Sequence, residues 1–331
     1  MTRKTDDQNE TGASEPDRKN RCPAPEITVR DEVLWRPLYP FASHYMKIGG
    51  FAYHYIDERP DDWETNPEVR NRPTLLMVHG NPTWSFFFRN LVLAFRDRFR
   101  VIVVDHIGCG LSEKPSASRY PYSMDRRVSD LCHLVKKLNL RDVCLVAHDW
   151  GGTIGMGAAT RLADRFSRLI LMNTAAFRSQ RCPVRIRMGR IPFVSPFLIQ
   201  RLNLFCRAAV RWATNHPGGL PKEVAAGLCA PYDSWKHRVA VSQFVRDVPL
   251  SEKHRSYQTL VAIENGLPQF SEKPVLLVWG MQDWCFSPDF LKRFLQFYPE
   301  AMVRKIENAG HYLLEDALDE TVAAMNEFLE R

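Results

Sequence analysis

The 331-residue chain lacks the short motifs that mark several large enzyme classes. Neither G-x-G-x-x-G nor G-x-x-x-x-G-K occurs in it, which disfavours a Rossmann or P-loop nucleotide enzyme. Its ten histidines form no H-E-x-x-H cluster and its eight cysteines form no C-x-x-C pair, and these are spacings typical of zinc sites. The sequence therefore implies neither a cofactor nor a metal.

Long apolar runs and a secretory signal are also missing. No run approaches the roughly 20 residues that a membrane-spanning helix needs. The first residues are polar and charged, and no apolar signal segment precedes the scattered cysteines. Reduced thiols and a cytoplasmic location are the prediction that follows.

Acidic side chains are absent from one stretch in the middle of the chain. Between Arg178 and Lys222 there are eight arginines and no aspartate or glutamate. Apolar residues alternate with these arginines, a pattern typical of basic amphipathic helices. A solvated helical face, a surface for self-association or a protein complex, and contact with a membrane surface all remain open. No nucleic-acid-binding motif accompanies the charge, so no nucleic-acid partner is predicted.

The chain does contain a regular alternation of apolar runs and helical segments. The helical periodicity is clearest over Met124–Leu138, and paired glycines at 49 and 50 predict a hairpin. Strands that alternate with helices predict an α/β fold with a mostly parallel central sheet flanked by helices. The runs predicted as strands are Thr74–Val78, Val101–Val104, Val143–Ala147, Leu169–Met172, Val275–Trp279 and Met302–Ile306.

The spacing of these runs predicts the domain organisation. Residues 1–30 are polar and nearly free of large apolar groups, which predicts a disordered tail. About one hundred residues separate the fourth and fifth of the central runs, far more than a crossover needs. We therefore expect core regions at 31–177 and 251–331, with a helical cap inserted at 178–250. A helix over Glu252–Leu267 would return the chain to the core.

One strand ends in a chemically informative turn. The run Val143–Ala147 stops at His148-Asp149-Trp150 and is followed by Gly151 and Gly152. Small residues after an apolar strand predict a tight strand-to-helix turn, the elbow that presents a nucleophile in α/β-hydrolases. The apical residue is usually serine, but in this chain it is Asp149. A carboxylate there predicts an ester intermediate formed at carbon.

Two further ionisable residues follow predicted strands. Asp283 comes just after Val275–Trp279, and His311 follows Met302–Ile306. Nucleophile, acid and histidine in this order is the chain order of α/β-hydrolases. Taken singly, an aspartate in a turn or a lone histidine is more often structural. The ordered set favours catalysis, because these strand ends would meet at one edge of a parallel sheet.

Three motifs resemble those of haloalkane dehalogenases: His79–Trp84, His148–Gly152 and Asn308–His311. The resemblance covers nearly everything after the tail, and it implies the α/β-hydrolase fold with an inserted cap. The aspartate elbow is shared with epoxide hydrolases, whereas its pairing with Asn81 and Trp84 points toward dehalogenases. One branch of these dehalogenases carries its catalytic acid after the preceding predicted strand, here Leu169–Met172, but residues 173–176 of this chain include no acid. An acid at position 283 resembles the third dehalogenase subfamily, which is close to the β-lactone decarboxylases of bacterial olefin synthesis.

Carried over position by position, the resemblance assigns roles to these residues. Asp149 would be the nucleophile, His311 the base and Asp283 its acidic partner, while Asn81 and Trp150 would bind halide and oxyanion. The leading hypothesis is hydrolysis of a haloalkane through an alkyl ester. Substrate and leaving group would then be a small hydrophobic molecule and halide. The sequence adds Phe177 and Tyr232 as weaker candidates for the substrate pocket.

Other functions remain open on sequence grounds. A β-lactone decarboxylase would use the same residues on an alkyl β-lactone and release carbon dioxide. An epoxide hydrolase would need a proton donor for its alkoxide, for which Tyr232 and Tyr257 are candidates. A non-catalytic member of the fold would have no need of an acid behind the histidine.

Overall fold

The computed structural model describes residues 32–179 and 196–331, together with 181, 183, 184, 187, 190 and 191. The predicted disordered tail lies outside the described residues. Within them, eight strands form one sheet in the order β1-β2-β4-β3-β5-β6-β7-β8. The strands are β1 (His44–Ile48), β2 (Phe51–Glu58), β3 (Thr74–Val78), β4 (Val101–Val104), β5 (Val143–Asp149), β6 (Phe166–Thr174), β7 (Val275–Gly280) and β8 (Met302–Ile306).

Strand direction follows the sequence pattern. β1 and β2 form an antiparallel hairpin that turns at Gly49 and Gly50, both with positive φ. Strand β2 of this hairpin pairs with β4 in the antiparallel direction. The remaining strand pairs, which connect β4, β3, β5, β6, β7 and β8, are all parallel. The predicted α/β fold and its mostly parallel sheet are confirmed.

Helices cover the sheet. Met124–Lys137 begins where the side chain of Ser123 accepts a hydrogen bond from the Arg126 N–H, and it matches the predicted helix to one residue. The α-helices that the structure describes are α1 (Glu32–Trp35), α2 (Pro67–Arg70), α3 (Arg89–Phe95), α4 (Met124–Lys137), α5 (Trp150–Arg161), α6 (Leu204–Trp212), α7 (Lys222–Cys229), α8 (Val239–Arg246), α9 (Tyr257–Gly266), α10 (Pro288–Phe297), α11 (Leu313–Asp316) and α12 (Leu318–Leu329).

The central strands are buried on both faces, which explains their continuous apolar runs. In β5 every residue is buried. Leu145 and Ala147 belong to one hydrophobic cluster, whereas Cys144 and Val146 belong to the cluster on the other face. This alternation leaves only the carboxyl ends of the strands for polar side chains.

The segment between β6 and β7 is rich in helix. A six-residue π-helix, Pro196–Arg201, precedes α6, α7 and α8. The predicted boundaries of a cap at 178–250 remain a prediction. No helix in the described part of the chain is long and apolar enough to cross a membrane.

One predicted helix begins later than expected. The sequence predicts a helix from Glu252, but α9 starts at Tyr257. The residues before it turn instead because Arg255 and Ser256 both donate hydrogen bonds to the buried carboxylate of Asp247, at 2.8 and 2.9 Å. α9 then packs against α5 and α4.

Candidate active site

Asp149 sits at a strained turn between β5 and α5. Its φ of 52° lies in the left-handed region that favours glycine. Two glycines make room for the turn. A Cβ at Gly151 would collide with the carbonyl of Val78, and a Cβ at Gly80 would collide with the Asp149 carboxylate. The small residues of the elbow therefore let β3 and β5 end side by side around this carboxylate.

The Asp149 carboxylate is buried and incompletely compensated. Burial raises its pKa to about 6, although His311 and the backbone N–H groups of Asn81 and Trp150 favour the anion. The Asn81 N–H donates to Oδ2 at 2.6 Å. The carboxylate is thus anionic at neutral pH, although its burial is only partly compensated by these donors.

His311 and Asp283 lie in hydrogen-bond contact. His311 Nδ1 donates to Asp283 Oδ2 at 2.8 Å. Burial lowers the pKa of His311, but Asp283 and then Asp149 outweigh this effect, so that its pKa is raised overall. The other oxygen of Asp283 accepts the N–H of Cys285 at 2.6 Å. The histidine is thus oriented and held in the form that carries a proton on Nδ1.

Asn173 is a positioning residue that the sequence analysis missed. From the end of β6, its Nδ2 donates to Asp283 Oδ2 at 3.0 Å and to the Gly280 carbonyl at 3.0 Å. Its Oδ1 accepts the Gly280 N–H at 2.8 Å. Asn173 therefore fixes the end of β7 together with the carboxylate. The signal in the sequence that could have identified Asn173 is its position directly after a predicted strand, where polar site residues are expected.

His148 supports the loop that carries His311. Its Nε2 donates to the His311 carbonyl at 2.8 Å. Its ring lies 4.6 Å from Phe87 and 4.7 Å from His311, measured between centroids. Burial holds the pKa of His148 well below its usual range. It is a neutral packing residue behind the site.

The two proposed halide ligands are differently placed. Trp150 lines the cavity above Asp149 and packs its ring on Phe244, with centroids 5.2 Å apart. Asn81 also lines the cavity, but its Nδ2 donates to the Val241 carbonyl at 3.3 Å. Its Oδ1 is buried without a hydrogen-bond partner among the described residues. The indole N–H of Trp150 is therefore uncommitted among the described residues, and Asn81 Nδ2 keeps the second of its two N–H groups.

An apolar cavity of about 580 Å³ leads to these groups. Asp149, His311 and the predicted pocket residue Phe177 all line it. Tyr232 does not, which corrects its assignment to the pocket: it is fully buried and its hydroxyl donates to the Thr83 carbonyl at 3.2 Å. Tyr257 does not line the cavity either. The tyrosines considered for epoxide opening are therefore not brought to Asp149.

The site is assembled from charged and amide side chains. Among the described residues, no group of three or more histidine, cysteine, aspartate or glutamate side chains is arranged to hold a metal ion. The chemistry available is that of a carboxylate, an imidazole and several N–H donors.

Comparisons with known proteins identify the family. Residues 75–324 match the model of the alpha/beta hydrolase family. The chain belongs to the alpha/beta hydrolase family. It is an enzyme of the hydrolase fold, and its architecture is that of the haloalkane dehalogenases.

Individual relatives indicate which members of the alpha/beta hydrolase family this chain resembles. It is 38% identical over 296 residues to a cis-3-alkyl-4-alkyloxetan-2-one decarboxylase of Shewanella oneidensis, spanning 88% of this chain and 89% of that protein. It is 30% identical to haloalkane dehalogenase 2 of Mycobacterium tuberculosis, spanning 88% and 96%. The structure of haloalkane dehalogenase DbeA from Bradyrhizobium elkani superposes with a TM-score of 0.74 at 25% identity, spanning 88% and 99%. The haloalkane dehalogenase hypothesis is supported as to fold, and the β-lactone alternative is favoured over it.

Proposed function

We propose that this enzyme decarboxylates cis-3,4-dialkyl β-lactones to alkenes, with Asp149 as the nucleophile. The higher identity to a decarboxylase than to a dehalogenase carries this proposal. The mainly apolar cavity of about 580 Å³ agrees with a substrate that bears alkyl chains. Residues 178–250 would act as the cap that closes over this substrate.

The first step forms an ester on Asp149. A carboxylate oxygen attacks C4 of the lactone in line with the ring oxygen, and the C4–O bond breaks with its electron pair going to that oxygen. Ring opening leaves a free carboxylate on C3 and an alkyl ester at C4. Release of ring strain and the proximity of the bound reactants favour this step.

The second step releases the products. The bond between C3 and its carboxylate breaks, its electron pair becomes the C3=C4 double bond, and the ester bond to Asp149 breaks. Asp149 regains its electron pair and carbon dioxide leaves. Inversion at C4 followed by departure of the two groups on opposite sides keeps the alkyl chains cis. Neither a proton nor a water molecule is consumed.

His311 then has an electrostatic role in this reaction. Asp283 raises the pKa of His311 and favours its cationic form, which stabilises the Asp149 carboxylate as a leaving group. The N–H groups of Asn81 and Trp150 hold the same carboxylate. In a dehalogenase, neutral His311 would instead activate water against the ester. Exclusion of water by the apolar cavity would therefore decide the fate of the ester.

Hydrolysis of haloalkanes is the second candidate, because Trp150 lines the cavity and its indole N–H has no hydrogen-bond partner among the described residues. Asn81 Nδ2 donates one of its two N–H groups to the Val241 carbonyl, so only the other remains for a halide.

The purified protein can be assayed with a cis-3,4-dialkyl β-lactone and with 1,2-dibromoethane, with Asp149→Asn as the blank. We expect cis-alkene from the lactone, well above the blank. Bromide release without alkene would overturn the decarboxylase in favour of the dehalogenase. The absence of both signals above the blank would overturn both.

A further inference from the structure

Two elements in contact with each other build one wall of the cavity. The π-helix Pro196–Arg201 contacts α6. Each presents one side to the cavity: Leu198 and Ile199 from the π-helix, and Phe205 and Ala209 from α6. The cavity wall is therefore only one helix thick at this place.

The other side of these elements is exposed and combines two chemistries. Arg201, Arg207 and Arg211 are exposed, and within the described part of the chain none of them has a carboxylate within ion-pair distance. Large apolar side chains are exposed among them, with Phe197 56% and Leu204 44% accessible. We call this surface the mouth face, and it consists of Phe197, Arg201, Leu202, Leu204, Arg207 and Arg211.

The mouth face borders the opening of the cavity. Leu204 and Trp212, at the two ends of α6, both line the cavity and are exposed to solvent. Trp284, from the loop that follows β7, also lines the cavity and is 40% exposed. An alkyl chain entering the cavity therefore passes beside this face.

We propose that the mouth face docks on an anionic lipid surface and opens the cavity toward the bilayer. The dialkyl substrate, whose apolar character rests on the proposed function, dissolves in such a bilayer rather than in water. Arginines without acidic neighbours complement anionic headgroups, and each adds roughly fivefold to partitioning near an anionic surface. Exposed phenylalanine and leucine insert at the boundary between headgroups and acyl chains.

The stretch 178–222 favours a lipid surface over a protein partner. It contains no acidic residue. Arg178 and Arg181 pair with Glu264 and Asp289 elsewhere in the fold, whereas the three arginines of the mouth face are left to complement a uniformly anionic surface. A protein interface would instead pair individual charges of both signs. A second argument for a lipid surface is that the mouth face borders the opening of an apolar cavity, where a substrate dissolved in the bilayer would enter.

Co-flotation with vesicles tests the proposal without turnover. Vesicles of phosphatidylcholine with about 30% phosphatidylglycerol would be compared with pure phosphatidylcholine at low and high salt. The variant R201Q/R207Q/R211Q removes three positive charges from the mouth face. The matched control K136Q/K137Q/R141Q removes three exposed charges next to the amino end of β5, at the opposite edge of the sheet.

The wild-type protein is expected to float with the anionic vesicles, and less at high salt. The mouth-face triple should reduce partitioning at least tenfold, and the control triple less than threefold. Phe197→Gln should also reduce it, whereas Leu93→Gln, which changes an exposed leucine of α3, should not. Binding that persists in a protein without lactone activity would support the surface and count only against the proposed function.

Three results would overturn the docking surface. One is wild-type protein that fails to float at either salt concentration. Another is equal loss of binding in the mouth-face and control triples, which would reflect net charge alone. The third is an oligomer in light scattering that dissociates in the mouth-face triple, which would make this face a contact between copies of the chain.

Discussion

Two buried aspartates lie at the carboxyl ends of the strands that flank β3, and they behave in opposite ways. Asp105 follows β4, and its carboxylate accepts hydrogen bonds from His54 Nδ1, the Ser85 N–H and the Leu111 N–H at 2.7–2.8 Å. Burial opposes ionisation, but His54, His79 and the Leu111 N–H lower its pKa to about 2. Asp149 ends β5, and there burial prevails and raises the pKa to about 6.

The difference shows how one sheet edge holds a well-compensated carboxylate beside an incompletely compensated one. The carboxylate of Asp105 accepts a nearly complete set of hydrogen bonds, and it would lose them if it attacked a substrate. Asp149 has fewer donors and faces the cavity. An anion whose burial is poorly compensated gains most when its charge passes into an ester. The comparison predicts opposite consequences for the same substitution at the two positions.

The largest expected effect is on turnover. Asp149→Asn should lower the rate by at least about 10⁴-fold, because the amide cannot form the ester. Asp105→Asn should leave the chemistry of the folded fraction within about tenfold of wild type. Product formation per folded enzyme, scaled by circular dichroism, distinguishes them. An Asp149→Asn variant with a tenth of normal activity would remove the contrast.

Asp105→Asn should instead lower the free energy of unfolding. A carboxylate whose folded pKa is about 2, against an ordinary value of 3.8, contributes about 2–3 kcal/mol to the free energy of unfolding above pH 4. The contribution is lost as the pH falls from about 4 through about 2. Urea denaturation at pH 7 and pH 3 should show a smaller deficit of the variant at the lower pH. An equal deficit at both values would contradict the assignment.

Asp149→Asn should raise the stability at high pH. A carboxyl group whose folded pKa is raised from 3.8 to about 6 favours folding below its unfolded pKa, and this advantage is lost as the pH rises through 6. Removing the charge should add about 1–3 kcal/mol to the free energy of unfolding at pH 8 and little at pH 4. Thermal or urea unfolding at the two pH values measures the gain. A loss of stability at pH 8 would show that the carboxylate is well compensated.

The smallest effect is expected at Asn173. Replacing it with alanine removes one donor from Asp283 and two bonds to Gly280. The rate constant kcat should fall about tenfold, with KM nearly unchanged, because the imidazole is less well oriented. Asn173→Ser, which can still donate one hydrogen bond, should recover part of the loss. Equal kcat in the alanine variant and wild type would exclude a positioning role.

The sequence predicts those parts of the molecule that local pattern determines. The bounds of β3 and β4 coincide with the predicted runs because both strands are buried on both faces and read as continuous apolar segments. The elbow was recognisable because only small residues fit beside Val78 and the Asp149 carboxylate.

Contacts between distant parts of the chain are not predictable in this way. Asn173 reaches Asp283 across 110 positions, and Tyr232 reaches Thr83 across 149. No periodicity encodes such contacts. The late start of α9 has the same origin, since it depends on the buried carboxylate of Asp247.

The most direct test of the proposed ester and its fate is oxygen labelling of Asp149 during turnover. The enzyme would convert a cis-3,4-dialkyl β-lactone in water enriched in ¹⁸O, followed by mass spectrometry of the peptide that contains Asp149. Decarboxylation returns the same two oxygens to the carboxylate, so we expect cis-alkene and no ¹⁸O in Asp149. Label in Asp149 together with a β-hydroxy acid would show that water cleaves the ester, and would contradict the account.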